Sequence, residues 1–150
     1  MNLFTKAMSC TLIMIVILAG GVFCACSSSV PNPDSPLKPS MDNGVEVVYF
    51  HRTNRCYSCT YAGDGVEYTI NTYFADELAD GELVFMLIDV QDDANAAIVD
   101  KYGAYTSSLY MNKVVNGVDN IEPVTGIWFL IGNDQEFVDL VKSEIAERLE

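Results

Sequence analysis

Apolar and polar positions follow one another along this chain in short blocks whose periods predict the elements in order. Val45 to His51 is an apolar run of strand length and predicts a buried strand. Beyond it, Val66, Ile70, Tyr73, Phe74 and Leu78 recur at helical spacing, with Glu67, Asn71, Asp76 and Glu77 between them. Gly63-Asp64-Gly65 is expected to loosen or kink the first turns of that helix. Leu83 to Val90 predicts a second strand, and Asp92 to Tyr102 a short helix closed by Gly103. Leu109 to Val115 predicts a third strand that enters a turn at Asn116-Gly117. In the last helix, Phe137, Leu140, Val141, Ile145 and Leu149 line one face after the caps Asn133 and Asp134. Ile121 to Ile131 reads two ways: Thr125 to Ile131 looks like a strand, whereas Glu122-Pro123 looks like the first turn of a helix.

The chain before Val45 has a different texture. After Lys6, the stretch Ala7 to Ala25 carries no charge and ends in Phe23-Cys24-Ala25-Cys26. This pattern resembles a bacterial lipoprotein signal, which implies that Cys26 is the first mature residue and is acylated. Its length is also close to the ~20 residues that span a bilayer, so an uncleaved anchor is the alternative, with simple secretion behind it. All three readings place the remainder outside the cytoplasm. Residues 27–43 hold Pro31, Pro33, Pro36 and Pro39 among Ser, Asn and Asp, the composition of an extended tether. The expected organisation is a signal or anchor over 1–25, a lipidated Cys26 and tether over 26–43, and one domain over 44–150.

Charge narrows the partners. The chain has 21 Asp and Glu against 8 Lys and Arg, without a basic stripe, so nucleic acid is not an expected partner. Asp89, Asp92, Asp93 and Asn95 miss the spacing of a calcium loop and are read as helix caps. Trp128 and Phe129 are read as core.

The candidate chemistry lies at the end of the first strand. Of five cysteines, Cys10 and Cys24 belong to the leader and Cys26 to the lipid, which leaves Cys56 and Cys59 to the domain. A pair in CxxC spacing closes too small a loop to constrain the unfolded chain much, so a structural staple is the weaker reading. At a strand-to-helix junction the helix N-terminus stabilises a thiolate, and an extracytoplasmic compartment supplies disulfides to exchange. Arg55 and His51 stand in the only local basic cluster, together with Arg52, and are expected to favour the thiolate electrostatically. An ordinary polar loop is the plainer reading of both, and for His51 the preferred one.

Strand, CxxC, helix, strand, helix, strand, helix is the order of a thioredoxin-type fold, an α/β sandwich with a central mixed sheet flanked by helices. The domain resembles the thioredoxin superfamily, and more closely the small bacterial and archaeal thioredoxin-like proteins named as nitrophenyl-compound nitroreductase subunits of the ArsF type. The similar features are Tyr49-Phe50-His51 before Arg55-Cys56 and Cys59, the run Thr72 to Leu78, Asp89-Val90, and Tyr102 to Thr106. Trp128 ahead of Phe137 is similar too, and the likeness favours helix over Ile121 to Ile131. Nothing reads as a flavin site, so no cofactor is expected. Two features depart from the superfamily. Its cis-proline loop, which faces the CxxC and meets substrate, corresponds to Thr106-Ser107-Ser108, without proline. The first strand also offers no expected buried carboxylate, since Tyr49 and Phe50 stand at the positions concerned.

These observations lead to an expected extracytoplasmic, membrane-tethered thiol-disulfide oxidoreductase. Cys56 would attack, Cys59 would resolve, and Thr106 and Ser107 would face the substrate. Its partners would be protein thiols or disulfides, through a dedicated membrane or extracytoplasmic protein. The alternatives are a binding module that holds a soft metal or metalloid through the two thiolates, and a redox-inert scaffold subunit of a membrane complex.

Overall fold

The computed structural model describes residues 41–150. The expected signal or anchor, Cys26 and most of the tether lie outside them. Among the described residues no helix is long and apolar enough to cross a membrane.

A central strand, β1 (Gly44–His51), organises the domain. Val45, Val47, Val48, Tyr49 and Phe50 are all completely buried, because β1 is covered on both faces. It runs parallel to β2 (Leu83–Asp89) and antiparallel to β3 (Ser108–Val114), which pairs in turn with the short antiparallel β4 (Ile121–Pro123). The result is an α/β domain with a four-stranded mixed sheet in the order β2-β1-β3-β4.

Parallel pairing of β1 and β2 requires a crossover, and α1 (Tyr57–Tyr73) with α2 (Ala75–Asp80) supplies it. The periodic stretch after the CxxC is therefore two helices, not one, divided at the buried Phe74. Gly63 and Gly65, expected to loosen or kink its first turns, lie inside an unbroken α1. Both positions are glycine for packing. A Cβ on Gly63 would meet the Arg55 guanidinium and the Tyr49 ring, and one on Gly65 would come within 2.7 Å of the Phe137 ring.

The two faces of β1 have separate cores. Val45, Val47 and Tyr49 pack with Ala62, Val66 and Ile70 of α1 and with Phe137, Val141 and Ile145 of α4 (Asp134–Leu149). Val48 and Phe50 pack with Val99 and Tyr102 of α3 (Ala96–Tyr102), which a single 3-10 turn precedes. Asp92 caps that turn by accepting from the Ala94 amide at 2.9 Å. Gly103 closes α3 in the left-handed region, as read from the sequence. Asn116 and Gly117 also lie at positive φ, forming the expected turn after β3.

Two sequence expectations are corrected on the far face and the edge. The first strand does carry a buried carboxylate: Glu46 is 1% exposed and accepts from Tyr102 at 2.7 Å and Asn112 at 2.8 Å, with Lys101 3.7 Å away. It belongs to the face packed by α3, opposite the face that Tyr49 shares with α1. Ile121 to Ile131 is neither one helix nor one strand. Its Pro123 sits in edge strand β4, where a missing N–H is tolerated, and a 3-10 helix follows over Gly126–Leu130.

Candidate active site

The loop after β1 turns the chain so that Cys56 becomes the N-cap of α1. Its side chain accepts from the Cys59 amide at 3.3 Å, which occupies one of the free N–H groups of the first turn. One helical turn brings the second thiol back over the first. Both cysteines are free, with their sulfurs 2.6 Å apart, beyond the ~2.05 Å of a covalent disulfide. Cys56 is exposed and Cys59 half-buried.

Around them lies a cleft of about 480 Å³, lined by Arg52, Asn54, Ser58, Thr106, Ser107 and Trp128 as well as the two cysteines. Thr106 and Ser107, expected from the sequence to face substrate, line the same cleft as the thiols. No cis peptide bond occurs among the described residues, so the Thr106 to Ser108 loop is trans throughout. The expectation that Trp128 and Phe129 are both core is corrected. Trp128 packs its partly buried ring against the core while forming a wall of the cleft, and Phe129 is 89% exposed.

Electrostatics act mainly on the second cysteine. Burial pushes the Cys59 thiol up, but hydrogen bonds from the side chains of Cys56 and Ser107, with the nearby Arg55 charge, outweigh it and hold the thiol below its ordinary value. Arg55 reaches Cys59 through the backbone: Nη2 donates to the Cys59 carbonyl at 3.0 Å, and the guanidinium lies 5.8 Å from the centre of the Tyr49 ring. Tyr49 donates to the same carbonyl at 2.8 Å, and its burial pushes its hydroxyl far above the usual tyrosine range. Cys59 is thus held from below by two side chains on one oxygen.

His51 does not join this group. Its Nδ1 lies 3.0 Å from the Arg52 carbonyl oxygen, and its register partner in the sheet is Asp89. Asp89 is occupied by the Thr53 hydroxyl at 2.7 Å and the Gln91 amide at 2.9 Å. Among the described residues no group of three or more His, Cys, Asp or Glu side chains is placed to hold a metal ion.

Sequence reading missed Tyr49, Gly63 and Trp128 as parts of the site. A signal for Gly63 was present, since it lies four residues after Cys59 and so directly above it on the helix. Tyr49 and Trp128 looked like ordinary core aromatics, and only the tertiary arrangement gives each a second contact.

No protein-family model matches the chain, and no curated protein matches it in sequence.

Proposed function

We propose that this domain is a thioredoxin-like thiol-disulfide oxidoreductase, held by its N-terminal segment at the extracytoplasmic face of a membrane. The observation that carries the reading is the pair of free thiols, 2.6 Å apart, one of them capping α1 and exposed in an open cleft. The four-stranded mixed sheet flanked by helices supports it, because a central mixed sheet is what the element order led us to expect of a thioredoxin-type fold.

In the reducing direction, the Cys56 thiolate attacks one sulfur of a partner disulfide. A Cys56-to-partner bond forms, the partner's S–S bond breaks, and one partner thiolate leaves. Cys59 gives its proton to that departing thiolate and attacks the Cys56 sulfur, closing Cys56–Cys59 and releasing the second partner thiolate. Two electrons pass from the cysteine pair to the partner. In the resting pair Cys56 donates to Cys59, and the proton that Cys56 gives up as it attacks passes along the short line between the sulfurs to Cys59. Reversal of the same steps oxidises a partner dithiol. The exposure of Cys56 supports its role in the attack, and half-burial beside Ser107 suits Cys59 to resolution.

Replacing the cysteines one at a time tests this assignment. Cys56→Ser should abolish reduction of insulin disulfides, and Cys59→Ser should accumulate mixed disulfides through Cys56. Activity retained in Cys56→Ser would contradict the roles. For the tether, mass spectrometry of the membrane fraction should find a mature chain starting at an acylated Cys26, whereas an intact Met1 would mean a transmembrane anchor.

A further inference from the structure

A second cavity, of about 530 Å³, is lined by one face of α1, from Tyr57 to Tyr68, and by the start of α4. Its walls include Tyr57, Tyr61, Tyr68 and Phe137, with the carboxylates of Asp64 and Asp134. The aromatic part is built in place. The Tyr61 ring meets the edge of Phe137 at 5.5 Å and 89°, and Tyr57 lies 6.2 Å from Tyr61. Gly65 lets Phe137 press against the helix, at a spot where a Cβ would displace it. Tyr61 donates to Asp134 at 2.6 Å, which fixes both groups and pushes the Tyr61 hydroxyl up.

Asp134 stands in the first turn of α4, where its charge also faces the helix N-terminus. Asn133, at the N-cap, makes no side-chain cap bond. Asp64 is 67% exposed and has the Arg55 guanidinium only at 3.9 Å. Tyr57 and Tyr68 are 73% and 57% exposed, so the ring surfaces are available. Aromatic faces beside carboxylates select organic cations, because the ring quadrupole and the negative charges act in the same direction. Neutral apolar ligands would gain nothing from the two acids, and anions would be repelled by them and by a chain of net charge −13.

We propose that this groove is a specificity subsite for the basic side chain, Arg or Lys, of an extended segment in the partner protein that exchanges at Cys56. The inference rests on the oxidoreductase reading, and names the feature by which the partner is chosen. Tyr57 couples the two places: it follows Cys56 in the chain and forms the near wall of the groove. A segment whose sulfur is bonded to Cys56 lays a side chain a few residues away along α1, towards Tyr68.

Full-length Cys59→Ser protein in detergent tests it against three otherwise identical peptides. Each carries one cysteine as an activated mixed disulfide with thionitrobenzoate, and near it either Arg, Gln or Glu. The Arg peptide should react about tenfold faster than the Gln peptide, with the Glu peptide slowest. Tyr68→Ala and Asp134→Asn should each erase most of that preference, while Asp80→Asn, which removes the same charge outside the groove, should keep it. Equal rates for the three peptides, or a preference that survives Tyr68→Ala, would overturn the subsite and leave the exchange reaction standing. If no peptide reacts, the oxidoreductase reading fails. The groove is then judged by ring resonances of Tyr61 and Tyr68 in the Cys56→Ser/Cys59→Ser protein, which should shift with the Arg peptide alone. Absence of that selective shift overturns the groove too.

Discussion

Arg55 is tied to the carbonyl of Cys59, 3.0 Å from Nη2, and its charge favours the Cys59 thiolate. Sequence adjacency places this arginine beside Cys56, yet the fold delivers its charge to the second cysteine. The slot it fills exists only because residue 63 has no side chain.

Gly63→Ala should therefore act as a mild copy of Arg55→Ala. The added methyl evicts the guanidinium, whose end is flexible, and crowds the Tyr49 ring at 3.0 Å. Overpacking of ~1–3 kcal/mol is partly offset by ~1 kcal/mol of helix propensity, so a net loss of about 1 kcal/mol in chemical denaturation is expected. Both variants should raise the pH at which Cys59 alkylates in a Cys56→Ser background. An unchanged profile in Gly63→Ala would show that the guanidinium does not act on the thiol.

The depressed Cys59 thiol links stability to pH. Its folded value lies below the ordinary 9.0, so the reduced protein binds fewer protons than its unfolded chain across that interval. The contribution is fully present above the unfolded value and is lost as pH falls through the folded one. Reduced wild type should gain stability over Cys59→Ser as pH rises towards 9, measured by denaturant midpoints. Parallel midpoints for the two proteins would contradict the shift.

Glu46 makes a contrasting prediction, since its network lies on the face of β1 packed by α3, opposite the face that Tyr49 shares with α1. Glu46→Ala removes the acceptor for Tyr102 and one of two acceptors for Asn112, and leaves both Asn112 and Lys101 with Asp119. The loss should be about 3 kcal/mol, with Glu46→Gln milder, and thiol-exchange rates should stay at the wild-type level. A change below ~1 kcal/mol would show that the network contributes little.

Much of this architecture was legible in the sequence where a single element decides its own form. β1, β2, β3 and α4 follow from local period, and the placing of the CxxC at a strand-to-helix junction follows from β1. The misreadings share a cause, which is contact between distant segments. Pro123 reads as a helix start, yet pairing with Tyr110 places it in an edge strand. Glu46 reads as unremarkable because Lys101, Tyr102 and Asn112, which make its burial tolerable, lie far along the chain. Gly63 and Gly65 read as helix weakeners, but Arg55, Tyr49 and Phe137 need the space above them.

The equilibrium reduction potential of the Cys56/Cys59 couple, in the full-length protein against glutathione buffers, tests the central claim most directly. A two-electron couple between about −120 and −270 mV, the range of exchange enzymes, is expected. A potential below about −300 mV, or thiols that form no disulfide at any poise, would mean that the pair is structural or inert and would contradict that claim.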